Sequence, residues 1–139
     1  MAPLRFQPSL DGISWQELED LFRRADLGGR QASKLARAYA NSALVLFVWD
    51  GVKLVGTARA ISDLEYHAGI YDVAVLPEYQ GQGLGRQMME HLLARLKVWR
   101  VILVCDPEVE DFYRKFGFEK MGGVMAKFHP TYLYDDVQP

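Results

Sequence analysis

Two features in the middle of the chain have residue types and spacing that could do chemistry. The first is Gln80-Gly81-Gln82-Gly83-Leu84-Gly85, a glycine-punctuated turn that follows the apolar run Ile70–Val75 and leads straight into a helical pattern. A helix start leaves backbone N–H groups without intrahelical partners, its dipole favours negative charge, and glycines let an anion approach the main chain. Such a stretch is suited to holding phosphate. The second feature is Asp72, a carboxylate inside the apolar run. Desolvation disfavours a charged carboxylate, which would suit Asp72 to accept a proton, whereas pairing with an arginine such as Arg59 would make it structural. Glu65 and His67, in the preceding polar bend, are fallback bases that would act through water.

Two common phosphate motifs fail against these letters. The dinucleotide fingerprint requires G-x-G-x-x-G, but counting from Gly81 its third glycine falls on Arg86; the P-loop requires Lys-Ser or Lys-Thr after its last glycine, and Gly85 is followed by Arg86-Gln87. Nucleotide enzymes built on those motifs are therefore excluded.

The elements that must position these residues can be read in order. Arg5–Pro8 predicts a short strand, and Asp11 or Ser14 a cap for a helix through Trp15 to Phe22. Gly28-Gly29 breaks the chain before a second helix, Gln31–Ala40. Ala43–Trp49 and Val52–Ile61 are β-rich runs joined by Asp50-Gly51, a hairpin signal, and Ile70–Val75 follows as the next antiparallel neighbour. After the glycine turn, Leu84, Met88, Leu92 and Leu96 recur at helical spacing, so the methionines read as core. Val101–Cys105 is continuously apolar, as expected of a strand buried on both faces, and a strand–helix–strand order implies a parallel pair. Asp106-Pro107 starts a helix at Val109–Lys115, Phe116–Lys120 with Gly123–His129 reads as a closing hairpin, and the tail from Pro130 as irregular.

At 139 residues the chain is expected to be one domain, 1–139, with enough apolar content for a core of its own. Sixteen Lys and Arg against eighteen Asp and Glu give a net charge of −2, with no electrostatic pull toward nucleic acid or an anionic membrane. The single cysteine, Cys105, excludes an internal disulfide and a cysteine metal cluster, and reads as a small buried hydrophobe. With no apolar signal core or transit pattern in the first residues and no membrane-length apolar run, a cytoplasmic protein is expected.

Gln80-x-x-Gly83-x-Gly85 between strand and helix resembles the acyl-CoA loop of the GCN5-related N-acetyltransferase (GNAT) superfamily. A second stretch, Asp111-Phe112-Tyr113-Arg114-Lys115-Phe116-Gly117-Phe118, is similar to the short helix and Gly-Phe turn that follow the fifth strand in that superfamily. Leu54–Ala60, Ile70–Val73, Pro77–Gly85 and Val109–Tyr113 together bring the chain nearest the small bacterial and plastid type associated with acetylation of serotonin and other arylalkylamines.

The resemblance implies an α/β fold: an α+β mixed sheet, mostly antiparallel, with helices on both faces and a parallel pair splayed around an acyl-CoA slot. It also implies acetyl-CoA as cosubstrate, no metal, a small-molecule primary amine as acceptor, and a tendency to homodimerise through edge strands or closing hairpins. In this chain the pyrophosphate would meet the amides of Gln80, Gly81, Gln82, Gly83, Leu84, Gly85 and Arg86, and the pantetheine arm would pair with Val73 and Val75 main chain. A bulge in that strand would open the slot. Tyr113 would face the thioester sulfur as general acid, with Asp72 as its companion base. Phe22, Tyr39, Tyr66, Met125 and Phe128 are available as acceptor surfaces, and nothing in their spacing selects an indole over a polyamine, an aminoglycoside or a protein amine. An acyl-CoA-binding module without catalysis is the competing class.

Overall fold

A computed structural model describes residues 3–129. Five strands form one sheet in chain order: β1 (Arg5–Gln7), β2 (Leu44–Asp50), β3 (Lys53–Ser62), β4 (His67–Val75) and β5 (Arg100–Ile102). The first three pairings are antiparallel and β4–β5 is parallel, with helix α3 (Leu84–Arg95) between them in sequence. Helices α1 (Trp15–Arg24) and α2 (Ala32–Ala40) precede β2, and α4 (Glu110–Arg114) follows β5 after a 3₁₀ turn at Pro107–Val109. The mixed sheet with one parallel pair agrees with the expected architecture.

Strand alternation assigns the helices to opposite faces. Phe47 stacks on Tyr39 of α2 and meets Trp15 of α1 edge-on. The next residue, Val48, pairs with Gly56 in β3, and a Cβ placed on Gly56 would lie 3.1 Å from the Met88 sulfur of α3. Gly56 is thus where α3 approaches the sheet closely. Met88, Met89 and Leu92 are fully buried, as their spacing predicts. Each contributes roughly 1.5–3 kcal/mol of apolar burial.

Capping explains the helix boundaries. Of the two cap candidates for α1 it is Ser14 that serves, its hydroxyl accepting from the Glu17 N–H at 3.2 Å. No side-chain cap at Gln31 protects α2, which is capped from a distance: Glu19 of α1 accepts the Ala32 N–H at 2.7 Å. The β2–β3 turn is Gly51-Val52, one residue later than Asp50-Gly51, because Asp50 still pairs with Lys53 and Gly51 takes the positive φ of 61°.

The C-terminal third departs from expectation. The apolar run Val101–Cys105 is a strand only through Ile102, and it is not buried on both faces, since Val104 is 85% exposed. Nor does the closing hairpin form within 116–129, where no strand is found among the described residues. With no described strand beyond β5, nothing continues the sheet over the Val101–Cys105 run. The polar bend expected from Asp63 to Gly69 is shorter, because β4 begins at His67. The expected irregular tail from Pro130 lies outside the described residues.

Two consequences are testable. The hydroxyls of Tyr39 and Thr57 are 2.8 Å apart in the core, and Thr57 also donates to the Leu46 carbonyl at 3.0 Å. Thr57→Val strands the Tyr39 hydroxyl and is expected to lower stability by about 1–3 kcal/mol in urea unfolding. Gly83, at φ 84° before α3, holds a left-handed conformation. Gly83→Ala should lower stability by about 1–2 kcal/mol in the same assay.

Candidate active site

The site begins where β4 loses one neighbour. The parallel ladder pairs His67, Ala68 and Gly69 with Arg100, Val101 and Ile102, and no pair follows it among the described residues. On its other edge β4 continues against β3 as far as Val75. Among the described residues the edge of β4 that faces away from β3 is therefore without a strand partner along Ile70–Val75. The β3–β4 register also shifts here: Thr57 and Arg59 are two residues apart, while their partners Ala74 and Tyr71 are three apart. Asp72 and Val73 thus stand opposite the single residue Ala58, a β-bulge. Asp72 adopts a positive φ of 59° within it.

Past the bulge the chain turns through Pro77–Tyr79 into the glycine loop. This turn is pinned from two sides. Glu78 accepts from Arg24 of α1 at 2.7 and 2.8 Å and from Lys53 at 3.4 Å, and the Tyr79 hydroxyl donates to Asp50. The Arg24 guanidinium holds the Glu78 carboxyl down at about 2. Gly81 and Gly83 both have positive φ, 76° and 84°, and curl the loop. The Gln80 side chain donates to the Val75 carbonyl at 2.9 Å and that of Gln82 to the Glu78 carbonyl at 3.2 Å, so both brace the loop against its own main chain. Leu84 is buried beneath it and Gly85 half-buried.

Three observations make the loop fit a pyrophosphate. Helix α3 has no side-chain cap and no acidic residue in its first turn. A Cβ on Gly81 would meet nothing within 4 Å, so an anion can reach the main chain. Arg86, exposed and 3.9 Å from Glu90, supplies positive charge beside the helix start.

Tyr113 lies on α4 in a different neighbourhood. Its ring meets Phe112 and Phe118 edge-on, and it lines a groove of about 810 Å³ with Leu93, Leu103, Cys105 and Val124. Burial raises the Tyr113 phenol, with nearby Cys105 adding to the effect, so the hydroxyl keeps its proton at neutral pH. Burial likewise raises the half-buried Cys105 thiol. Phe112 links α4 to the loop, because a Cβ on Gly85 would lie 3.4 Å from its ring.

Asp72 is held rather than free. Arg30 donates to one carboxylate oxygen at 2.7 Å and Arg59 to the other at 2.8 Å. Arg59 is the pairing the sequence offers; Arg30 lies 42 residues away, and no local pattern joins it to Asp72. Among the proposed acceptor surfaces, Phe22 and Tyr39 are core residues with essentially no exposure, whereas Tyr66, Met125 and Phe128 are exposed. His67 and Glu65 are exposed at the far end of β4, and Asp63 accepts the N–H groups of Glu65, Tyr66 and His67 around the bend.

Known proteins resemble this chain in sequence and in fold. The chain is 38% identical over 109 residues to an N-acetyltransferase called ycf52-like from Prochlorococcus marinus, covering 73% of this chain and 61% of that one. It is 37% identical to Histone acetyltransferase TAP1 of Glycine max, over 74% of this chain and 51% of the relative. It is 36% identical to a chloroplastic Serotonin N-acetyltransferase 2 of Oryza sativa, over 79% and 58% respectively. The chain thus spans about half to two thirds of the length of these relatives. In fold it is similar to a solved putative acetyltransferase from Xanthomonas campestris, with TM-score 0.81 and 23% identity over 94% of this chain and 96% of that one. No helix of the described residues is long and apolar enough to cross a membrane. Residues 14–118, which carry β2 to β5, the open edge of β4 and the glycine loop, match the Acetyltransferase (GNAT) family, and the chain belongs to that family.

Proposed function

We propose that the chain is an acetyl-CoA-dependent N-acetyltransferase acting on a primary amine, with an arylalkylamine as the acceptor class. The observation that carries this reading is the unpaired edge of β4 along Ile70–Val75, which begins where the β4–β5 ladder stops and leads into the glycine loop before α3. In this reading the main-chain groups from Gln80 to Arg86 hold the pyrophosphate, and those of Val73 and Val75 pair with the pantetheine arm as an added strand would. Acetyl-CoA supplies the activated acyl group. The bulge turns the main chain after Asp72 toward the thioester carbonyl, where an N–H can stabilise the developing oxyanion. Tyr113 serves as general acid for the departing thiolate, a role that requires only that its phenol be protonated at neutral pH.

Acceptor class follows from what lies beyond the acyl end. With the pyrophosphate at the loop and the arm along Val75 and Val73, the acyl group points toward Tyr71 and Gly69. Ile61, Gly69 and Ile102 share one sheet face by register, and Tyr71 with Arg59 lies on the same face. The Tyr71 ring lies against Gly69, whose added Cβ would sit 2.7 Å from it. Ile61, Tyr71 and Ile102 are exposed there. This face is apolar and aromatic, and the charges beside it are the Arg30–Asp72–Arg59 cluster, which is net positive, and Arg100. It favours a single amine carried on an aryl group over a polycation. A relative named Serotonin N-acetyltransferase 2 supports the same class.

Asp72 is assigned a different role from the base. With both oxygens accepting from guanidinium groups, protonation would break one of two charge-assisted bonds.

Tyr113→Phe is expected to leave acetyl-CoA affinity intact and to lower kcat by about 10²-fold, as for other general acids, in a steady-state free-thiol assay. Unchanged turnover would remove the role. In an acceptor panel of tryptamine, serotonin, spermidine and a Lys peptide, the aryl amines should release CoA fastest. Preference for spermidine would overturn the acceptor class, and binding of acetyl-CoA with no CoA released in the presence of any of these amines would favour a binding module.

A further inference from the structure

The Arg30–Asp72–Arg59 cluster has a geometry that neither catalysis nor ordinary surface pairing explains. The three side chains are 14%, 9% and 15% exposed, so the pairs are largely removed from water and more consequential than surface ion pairs. Each arginine comes from a different place. Arg30 lies in the loop between α1 and α2, where its guanidinium also donates to the Leu27 and Gly28 carbonyls. Arg59 lies on β3, between the rings of Tyr39 and Tyr71, and donates to the Ser42 hydroxyl at 3.2 Å. Ser42 in turn donates to the Ala38 carbonyl in the last turn of α2. The carboxylate therefore reaches both ends of α2, through Arg30 before its first turn and through Arg59 and Ser42 after its last.

Asp72 is also the left-handed residue of the bulge. That conformation is uncommon outside glycine, and aspartate is among the few residues that tolerate it. One residue thus supplies both the backbone shape of the bulge and the anion that fastens it.

We propose that Asp72 is a positioning residue whose paired carboxylate locks both ends of α2 to the β4 bulge, so that the helix wall and the Val73–Val75 main chain are held as one unit. This rests on the reading of Val73–Val75 as the cosubstrate's strand partner. Because small misplacements of a binding strand are expensive, loosening the lock should weaken acetyl-CoA binding before any acceptor is present.

The test compares the full chain with Asp72→Asn and Arg30→Met. Asparagine keeps the tolerance for positive φ and removes only the charge, while methionine removes one arm of the lock. Isothermal titration with acetyl-CoA alone should give a Kd raised about tenfold in both variants, within the usual range for coupling between sites. Amide hydrogen exchange of the apo chain should quicken together at Leu76, whose N–H donates to the Val55 carbonyl just past the bulge strand, and at Ala32 and Leu35 in the first turn of α2. Should Asp72→Asn bind acetyl-CoA as the wild type does and lose only turnover, Asp72 is the base and the proposal falls; unchanged binding and unchanged exchange overturn it equally. Should Asp72→Asn not fold, Arg30→Met carries both readouts, and wild-type values there overturn the lock. Failure of the wild-type chain to bind acetyl-CoA would contradict the enzyme reading instead, and the exchange comparison would still decide the lock.

Discussion

A β-strand that gives up a neighbour exposes a row of backbone donors and acceptors, and a protein must cover that edge or use it. In this chain β4 keeps β3 along one edge as far as Val75 but keeps β5 only as far as Gly69. The proposed cosubstrate site is arranged around the length of β4 between those two points. The glycine loop continues from its end, α3 starts from the loop, and the bulge at Asp72 sets the direction in which the open edge faces. An extended ligand can then take the place of the missing strand, which is the physical basis for reading the open edge as an acyl-CoA site.

Holding an open edge in place demands rigidity elsewhere. The closed side of the sheet supplies it through the buried contacts of Phe47 with Tyr39 and Trp15, and through the close approach of α3 at Gly56. The approach to the loop is fixed by Glu78 and Tyr79, which tie the Pro77–Tyr79 turn to α1 and to the β2–β3 hairpin. The bulge is fixed by two arginines on one carboxylate. These fastenings differ in kind. Apolar packing resists any displacement, whereas the Arg30–Asp72–Arg59 lock is specific to one backbone conformation and ties it to a separate helix.

Local features were legible in the sequence and distant ones were not. The glycine spacing at 81, 83 and 85, the Ser14 cap and the apolar stripe of α3 depend on residues within a turn or two, and the structure follows them. The Val101–Cys105 run illustrates the opposite case: its composition suits a fully covered strand, but coverage depends on what lies beyond β5, and Ile102 and Val104 are exposed. Asp72 was visible as an anomalous carboxylate, but its left-handed backbone and its bond to Arg30 depend on a register shift against β3 and on a loop far upstream. Tyr113 was placed by its motif; its contacts with Phe118 and Cys105 come from tertiary packing.

The central claim is that the open edge of β4 and the glycine loop form one continuous ligand site. A two-dimensional ¹⁵N–¹H NMR titration of the labelled chain with acetyl-CoA tests it directly. Coordinated amide shifts at Val73 and Val75 and at Gly81, Gly83 and Gly85, saturating with a single Kd, are the result expected. Shifts confined to the groove behind β5, at Val101, Leu103 and Phe118, with the loop and β4 amides unmoved, would contradict it.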